Sequence, residues 1–252
     1  SELQGESVSH VLVTHTHSDH SPACALLQSR VKAPTYAAGP HGMSLREQGL
    51  SSDEGGDFDF QPDIVLSDGE ILQGQDWKLE CVFAPGHTSN HVCFAEPQQG
   101  YLLSGDHVMG WSTSIVSPPD GNMGDYMRSL DRLLVRDDQV YWPGHGGPVR
   151  HPLAMVNAFI AHRKAREQQV LEYLAATPAT LAEMVPVIYR ELDPRLFPAA
   201  ERSLLACVLY LLEQQQIVVE TDSAAATSSA ATTDTWELLT LIQSAGTLLR
   251  PA

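Results

Sequence analysis

The stretch VLVTHTHSDHSPACALL at residues 11–27 constrains this chain more than any other, because four ligand-type side chains crowd into six of its residues. His15 and His17 stand two apart after a β-branched run, and side chains at that spacing point to one face of an extended strand. Two imidazoles so placed can grip one cation. Asp19 and His20 follow where the pattern turns into an apolar-periodic helix, so a carboxylate and a third imidazole leave the same corner at another angle, which suits a neighbouring ion. Further donors have to arrive from elsewhere in the chain. VFAPGH, YLLSGDH and VYWPGH each run a β-type segment into a glycine-containing turn and deliver His87, Asp106 and His145. The fold must therefore gather several strand ends at one point.

An isolated HxH pair is more often structural than ligating, but four donors in six residues with three more at strand ends select metal binding. Five histidines and two aspartates match the donor preference of two zinc ions, with an open position for water, and other divalent metals accept the same donors. His107, Trp111, Ser112 and Thr113, with Ser114, follow Asp106 directly and are candidates for the substrate pocket, an ordinary turn being the plainer alternative. His91 and His107 are near enough to ligands to support them or to touch substrate, or to be plain structural histidines. Tyr126 and Met127 read as packing. His10, His41, His151 and His162 lack supporting context and are expected at exposed or helix-capping positions.

Residues 1–150 mix short strands with helices expected at 21–30 and 123–135, which indicates an α/β unit. The acidic segment SSDEGGDFDFQPD, residues 51–63, reads as an exposed loop. From 151 to 252 the texture is helical, with helices expected at 154–176, 181–192 and 199–215. Two runs expected as strands follow, IVVET and TWELLTL, joined by the low-complexity SAAATSSAATTD. Three helices and a long-tipped hairpin predict a small winged-helix domain. Its third helix fails the test for reading DNA: Arg202 is its only basic residue, Glu201 and Glu213 are acidic, and its many leucines and Val208 form a packing face. A cap beside the metal cleft, or a dimer contact, is the expected role.

The net charge of −16 excludes a generally basic nucleic-acid surface, so any polyanionic substrate must be attracted locally. Cys24, Cys81, Cys93 and Cys207 lie scattered in apolar stretches without CxxC spacing, as buried reduced thiols do. Neither a long apolar span nor a signal-peptide pattern is visible, which leads to the expectation of a soluble, cytoplasmic chain without membrane contact.

The HxHxDH motif with its later histidine, aspartate and last histidine resembles the metallo-β-lactamase superfamily. The resemblance implies an αββα sandwich in which His15, His17 and His87 hold one zinc, Asp19, His20 and His145 hold a second, and Asp106 bridges them. It makes Asp19 and Asp106 the candidate catalytic residues. A histidine at position 87, where many β-lactamases carry cysteine, is similar to the glyoxalase II and nuclease branches. GDHVMGWSTSIVSPPDGNMGDYMRSLDRLL, PGHGGPV and HRKAREQQVLEYL resemble the β-lactamase-like protein 2 group, which carries a C-terminal winged helix and includes a single-strand endoribonuclease. Superfamily members open with several strands before the motif, whereas about a dozen residues precede it here. The expectation is a sandwich with its N-terminal strands missing and an uncovered edge that favours a homodimer. The function implied is hydrolysis of an ester, thioester, lactone or similar small molecule; single-stranded RNA is the alternative substrate, and a metal-binding regulator the third reading.

Overall fold

The structure, a computed structural model, describes residues 7–42, 55–220, 235–243 and 246–252. Period-two patterning decides its layers. Strands β1 (Val11–Leu12), β2 (Thr35–Ala37) and β3 (Ile64–Val65) form a parallel sheet in that order. Strands β4 (Ile71–Gln73), β5 (Lys78–Phe83), β6 (Val92–Glu96), β7 (Tyr101–Gly105) and β8 (Val140–Pro143) form a second sheet, antiparallel except for the β7–β8 pair. Leu79, Cys81, Val92 and Phe94 point between the sheets, where Leu12 and Tyr36 meet them. Their sequence neighbours Val82, Cys93 and Ala95, with Leu102 of β7, point the other way, onto Tyr126, Leu130 and Leu133 of helix α2 (Met123–Leu134). On the far side, Val11, Val13 and Ala37 pack with Cys24 of helix α1 (Ala23–Val31). The layers run helix, sheet, sheet, helix.

The strand expected to carry His15 and His17 stops at Leu12. Val13 still donates to Tyr36 of β2, but beyond it the backbone bonds change partner: Thr14 accepts from Val92, and Thr16 accepts from Asp57. The histidines therefore sit in a loop that leaves one sheet and reaches the end of the other. The acidic segment, expected as an exposed loop, is only partly exposed over its described residues 55–63, residues 51–54 lying outside the described part. Phe60 is buried in the α1 core, and Ser18 donates to the carbonyl of Gly55, because an apolar ring and a short turn here dock on the histidine loop.

The helical unit starts with the 25-residue α3 (Pro152–Ala176). Its first half adds Val156, Phe159 and Ile160 to the α2 core, and its second half adds Val170 and Leu174 to a separate core. Helix α4 (Leu181–Ile188) opens with a capping box between Thr180 and Glu183, and α5 (Phe197–Glu213) buries Leu204, Leu205, Val208, Leu209, Leu211 and Leu212. Strand β9 (Ile217–Glu220) pairs antiparallel with β10 (Leu248–Pro251). The run TWELLTL is not the expected strand but part of helix α6 (Thr235–Gln243); Leu239 and Ile242, three apart, share a helical face and both are buried. The joining segment SAAATSSAATTD lies outside the described residues. The four cysteines are free and buried, and no described helix is long and apolar enough to cross a membrane.

Candidate metal site

Four loops converge at one end of the two sheets. His87 follows a turn in which Gly86 takes φ +133°, and a Cβ there would stand 2.3 Å from the Tyr126 backbone, so glycine lets the loop lie against the start of α2. The Asn122 amide donates to the Gly86 carbonyl, while Asp120 accepts from both the amide and hydroxyl of Ser89. With Nδ1–H donating to the Ile115 carbonyl at 2.5 Å, the His87 ring is left with Nε2 facing the other histidines. Asp106 follows β7, and its amide donates to His91 Nε2 at 3.1 Å. His145 follows β8, where the Gly144 amide donates to the Gly105 carbonyl and ties the two loops together.

Asp106 Oδ2 is the hub of the assembly. It lies 3.9 Å from Nε2 of His15, 3.9 Å from that of His87, 3.6 Å from that of His20 and 3.4 Å from that of His145. Asp19 Oδ2 stands 3.0 Å from His145 Nε2 and 3.7 Å from His20 Nε2. Donor atoms within 4.8 Å of one another form the groups His15–His17–His87 and Asp19–His20–His145, and a third group, His15–His20–Asp106, joins them. All seven residues singled out from the sequence are thus brought to one site.

Electrostatics favour unprotonated imidazoles at the buried end. Burial, reinforced by neighbouring imidazoles, holds His15 and His91 well below the ordinary histidine range, and burial also lowers His87. His20 moves the other way: burial opposes its charge, but the hydrogen bond and charge of Asp106 outweigh it, and Asp106 is lowered in turn. His15 Nε2, His87 Nε2 and Asp106 Oδ1 are buried with no hydrogen-bond partner.

The cluster opens into a cavity of about 450 Å³ whose lining includes Trp111 and Ser112. Trp111 is 74 % exposed, with its ring parallel to that of His145 at 6.1 Å. Two other pocket candidates lie elsewhere. His107 is fully buried against Tyr126, where burial pushes it down to about 3, and Thr113 is half-buried outside the lining. The chain turns inward straight after Asp106, and the His107 carbonyl accepts from Ser114 Oγ and Tyr126 Oη. His41 is not exposed either: it is fully buried, bonded to Thr16 Oγ1 and stacked edge-on against Phe58. His151 and His162 are exposed, and His10 stacks on Tyr36.

Several supporting residues had no reading in the sequence. Asp57 accepts from Ser21, Asn90 donates to Thr16 and to the Gly39 carbonyl, and Asp120 fixes Ser89. Buried Arg163 of α3 donates to the Ser114 carbonyl, next to the carbonyl that orients His87. The density of polar residues in GHTSNH, flanking His87 and His91, is the signal that points to Asn90.

Residues 1–145 match the family model described as Metallo-beta-lactamase superfamily. The chain belongs to the metallo-beta-lactamase superfamily. Residues 180–227 match a beta-lactamase associated winged helix domain. A Drosophila melanogaster Beta-lactamase-like protein 2 homolog is 29% identical over 208 residues, covering 77% of this chain and 65% of its own. A lactamase-like protein of Aspergillus niger is 28% identical over 183 residues, covering 71% and 50%. An Atrochrysone carboxyl ACP thioesterase of Paecilomyces divaricatus is 26% identical over 194 residues, covering 72% and 54%. The chain therefore spans half to about two-thirds of the length of these curated relatives. Among solved structures, a Beta-lactamase domain protein from Burkholderia ambifaria superposes with a TM-score of 0.72 at 26% identity, covering 86% of this chain and 72% of the other. A metallo-beta-lactamase family protein from Thermus thermophilus gives a TM-score of 0.69 at 24% identity, covering 85% and 77%, and shares the fold.

The superfamily implies divalent metal ions, and the side chains present fit them. Buried nitrogen and carboxylate oxygen atoms without protein partners converge on common points, and His87 carries the hydrogen bond at Nδ1 that leaves Nε2 to ligate.

Proposed function

We propose that this chain is a binuclear zinc hydrolase acting on a small-molecule thioester, ester or lactone. One observation carries the reading: a single carboxylate oxygen, Asp106 Oδ2, sits between two three-residue donor groups that face an open cavity. His15, His17 and His87 would hold one ion, Asp19, His20 and His145 the other, and Asp106 would bridge them. When bound, the ions supply a nucleophile at neutral pH and polarise the scissile carbonyl oxygen. Asp106, fixed through its amide by His91, keeps the two donor groups in register. Asp19, with a carboxylate 58 % exposed, would take up a proton on the oxygen that holds no ion and return it to the leaving group. His87 keeps its tautomer through Ile115, so the buried end stays acceptor-only. The thioesterase named among the relatives supports a thioester over the other small-molecule substrates.

Elemental analysis of purified protein, followed by assays of S-benzoyl-N-acetylcysteamine and a fluorescent oligoribonucleotide with and without chelator, tests the proposal. Two zinc equivalents with chelator-sensitive thioester cleavage are expected. Chelator-sensitive RNA cleavage without thioester cleavage would favour the single-strand endoribonuclease reading, and full activity in metal-free protein would overturn both.

A further inference from the structure

Arg202 is the one basic side chain on α5. In a winged helix that reads DNA it would face a groove; here it lines the cavity over the metal-ligand cluster. Its direction follows from helix geometry. Residues four apart share a helix face, and Ala206 belongs to the core of the αββα unit while Tyr210 packs against that core. Arg202 lies one turn before Ala206 on the same stripe. Leu204, Leu205, Val208 and Leu211 tie other sides of the helix into the second core, so both units hold α5 in place.

Among the described residues lining the cavity, Arg202 alone carries a permanent positive charge. The candidate ligands contribute one part of the wall, and Met109, Trp111 and Ile115 contribute an apolar part. With a net charge of −16, the chain gives an anionic substrate no general attraction, so a local cation decides whether such a substrate is favoured. A guanidinium presents a fixed fork of donors that matches a carboxylate or a phosphate. A flat ring beside it would rest on Trp111, which already stacks on His145.

We infer that Arg202 forms an anion subsite of the metal cavity, selecting acyl substrates with a carboxylate or phosphate on a flat or apolar body. The inference rests on the hydrolase reading for its substrate type and on the placement of α5 for its geometry. In this way the winged-helix unit completes the substrate site.

Three N-acetylcysteamine thioesters, with benzoyl, 4-carboxybenzoyl and 4-phosphonooxybenzoyl groups, separate the two sources of the anion. In zinc-loaded protein at least one anionic thioester is expected to exceed the neutral one in kcat/KM by about tenfold or more, chiefly through KM. Arg202→Met should erase that ratio, and Arg202→Lys should keep only part of it, because charge survives and the fork does not. Equal kcat/KM for all three thioesters in the wild-type protein, or an anionic preference that survives Arg202→Met, would overturn the subsite. Calorimetric titration of metal-free protein with 4-carbamoylbenzoate and with benzamide gives a second readout, the carboxylate being expected to bind about tenfold more tightly. If no thioester is cleaved but this preference appears and depends on Arg202, the hydrolase reading fails and the subsite stands. If Arg202→Met does not fold, the Arg202→Lys ratio decides, and an unchanged ratio counts against the proposal.

Discussion

Gly144→Ala separates the metal site from the fold. Gly144 does not use the left-handed backbone region, so alanine fits the local conformation, but its Cβ would stand 2.4 Å from Asp106 Oδ1 and 2.9 Å from His20 Cε1. Ordinary contact begins near 3.4 Å, so relief from the 2.4 Å approach requires the Asp106 carboxylate to move by about 1 Å. Metal sites tolerate ligand displacements of roughly 0.2 Å, about a fifth of that movement. The hub oxygen would leave its position among four imidazoles, and zinc affinity is expected to fall by about 10- to 100-fold or more. Thermal unfolding of metal-free protein should shift little, because the atoms that move are a short side chain and an imidazole edge, not a core element. Competition with a chromogenic chelator gives the affinity, and calorimetry of the metal-free forms gives the stability. Wild-type zinc affinity in Gly144→Ala would refute the reasoning, and so would loss of the fold in the metal-free variant.

His91→Phe removes the acceptor of the Asp106 amide while keeping a ring in the core, and should weaken zinc binding by about tenfold or more, measured by the same competition. Arg163→Met leaves the buried Ser114 carbonyl without its donor and should cost about 1–3 kcal/mol in denaturant unfolding; an unchanged midpoint would show that this contact contributes nothing. Leu204→Ala opens a cavity at a fully buried position of α5 and should cost about 2–5 kcal/mol, read from the same denaturant curves. His17→Ala should lower thioester turnover by orders of magnitude; retained turnover in zinc-loaded variant would remove His17 from the site.

The sequence by itself determined the set of donor side chains that the fold brings together. Imidazoles and carboxylates dense enough to hold metal are a matter of composition and spacing, and glycine before His87 and His145 announced tight turns wherever the strands ended. Period-two and helical periodicities likewise gave the two-unit organisation. What only the tertiary structure decided concerns residues whose meaning depends on partners far along the chain. His15 and His17 lie in a loop because the residues beside them change partner, Thr14 accepting from Val92 and Thr16 from Asp57, instead of continuing one strand. TWELLTL is rich in residues that suit strand or helix; burial of Leu239 and Ile242 on one helical face selects the helix. His107 borders Asp106 in sequence yet faces Tyr126, because the chain turns inward at that residue. Arg202 is in sequence only the one basic residue of its helix, and the packing of Ala206 onto the first unit puts it in the wall of the cavity. Local spacing fixes which chemistry a segment carries, while the direction in which that chemistry points is set by long-range burial, which one-dimensional pattern does not encode.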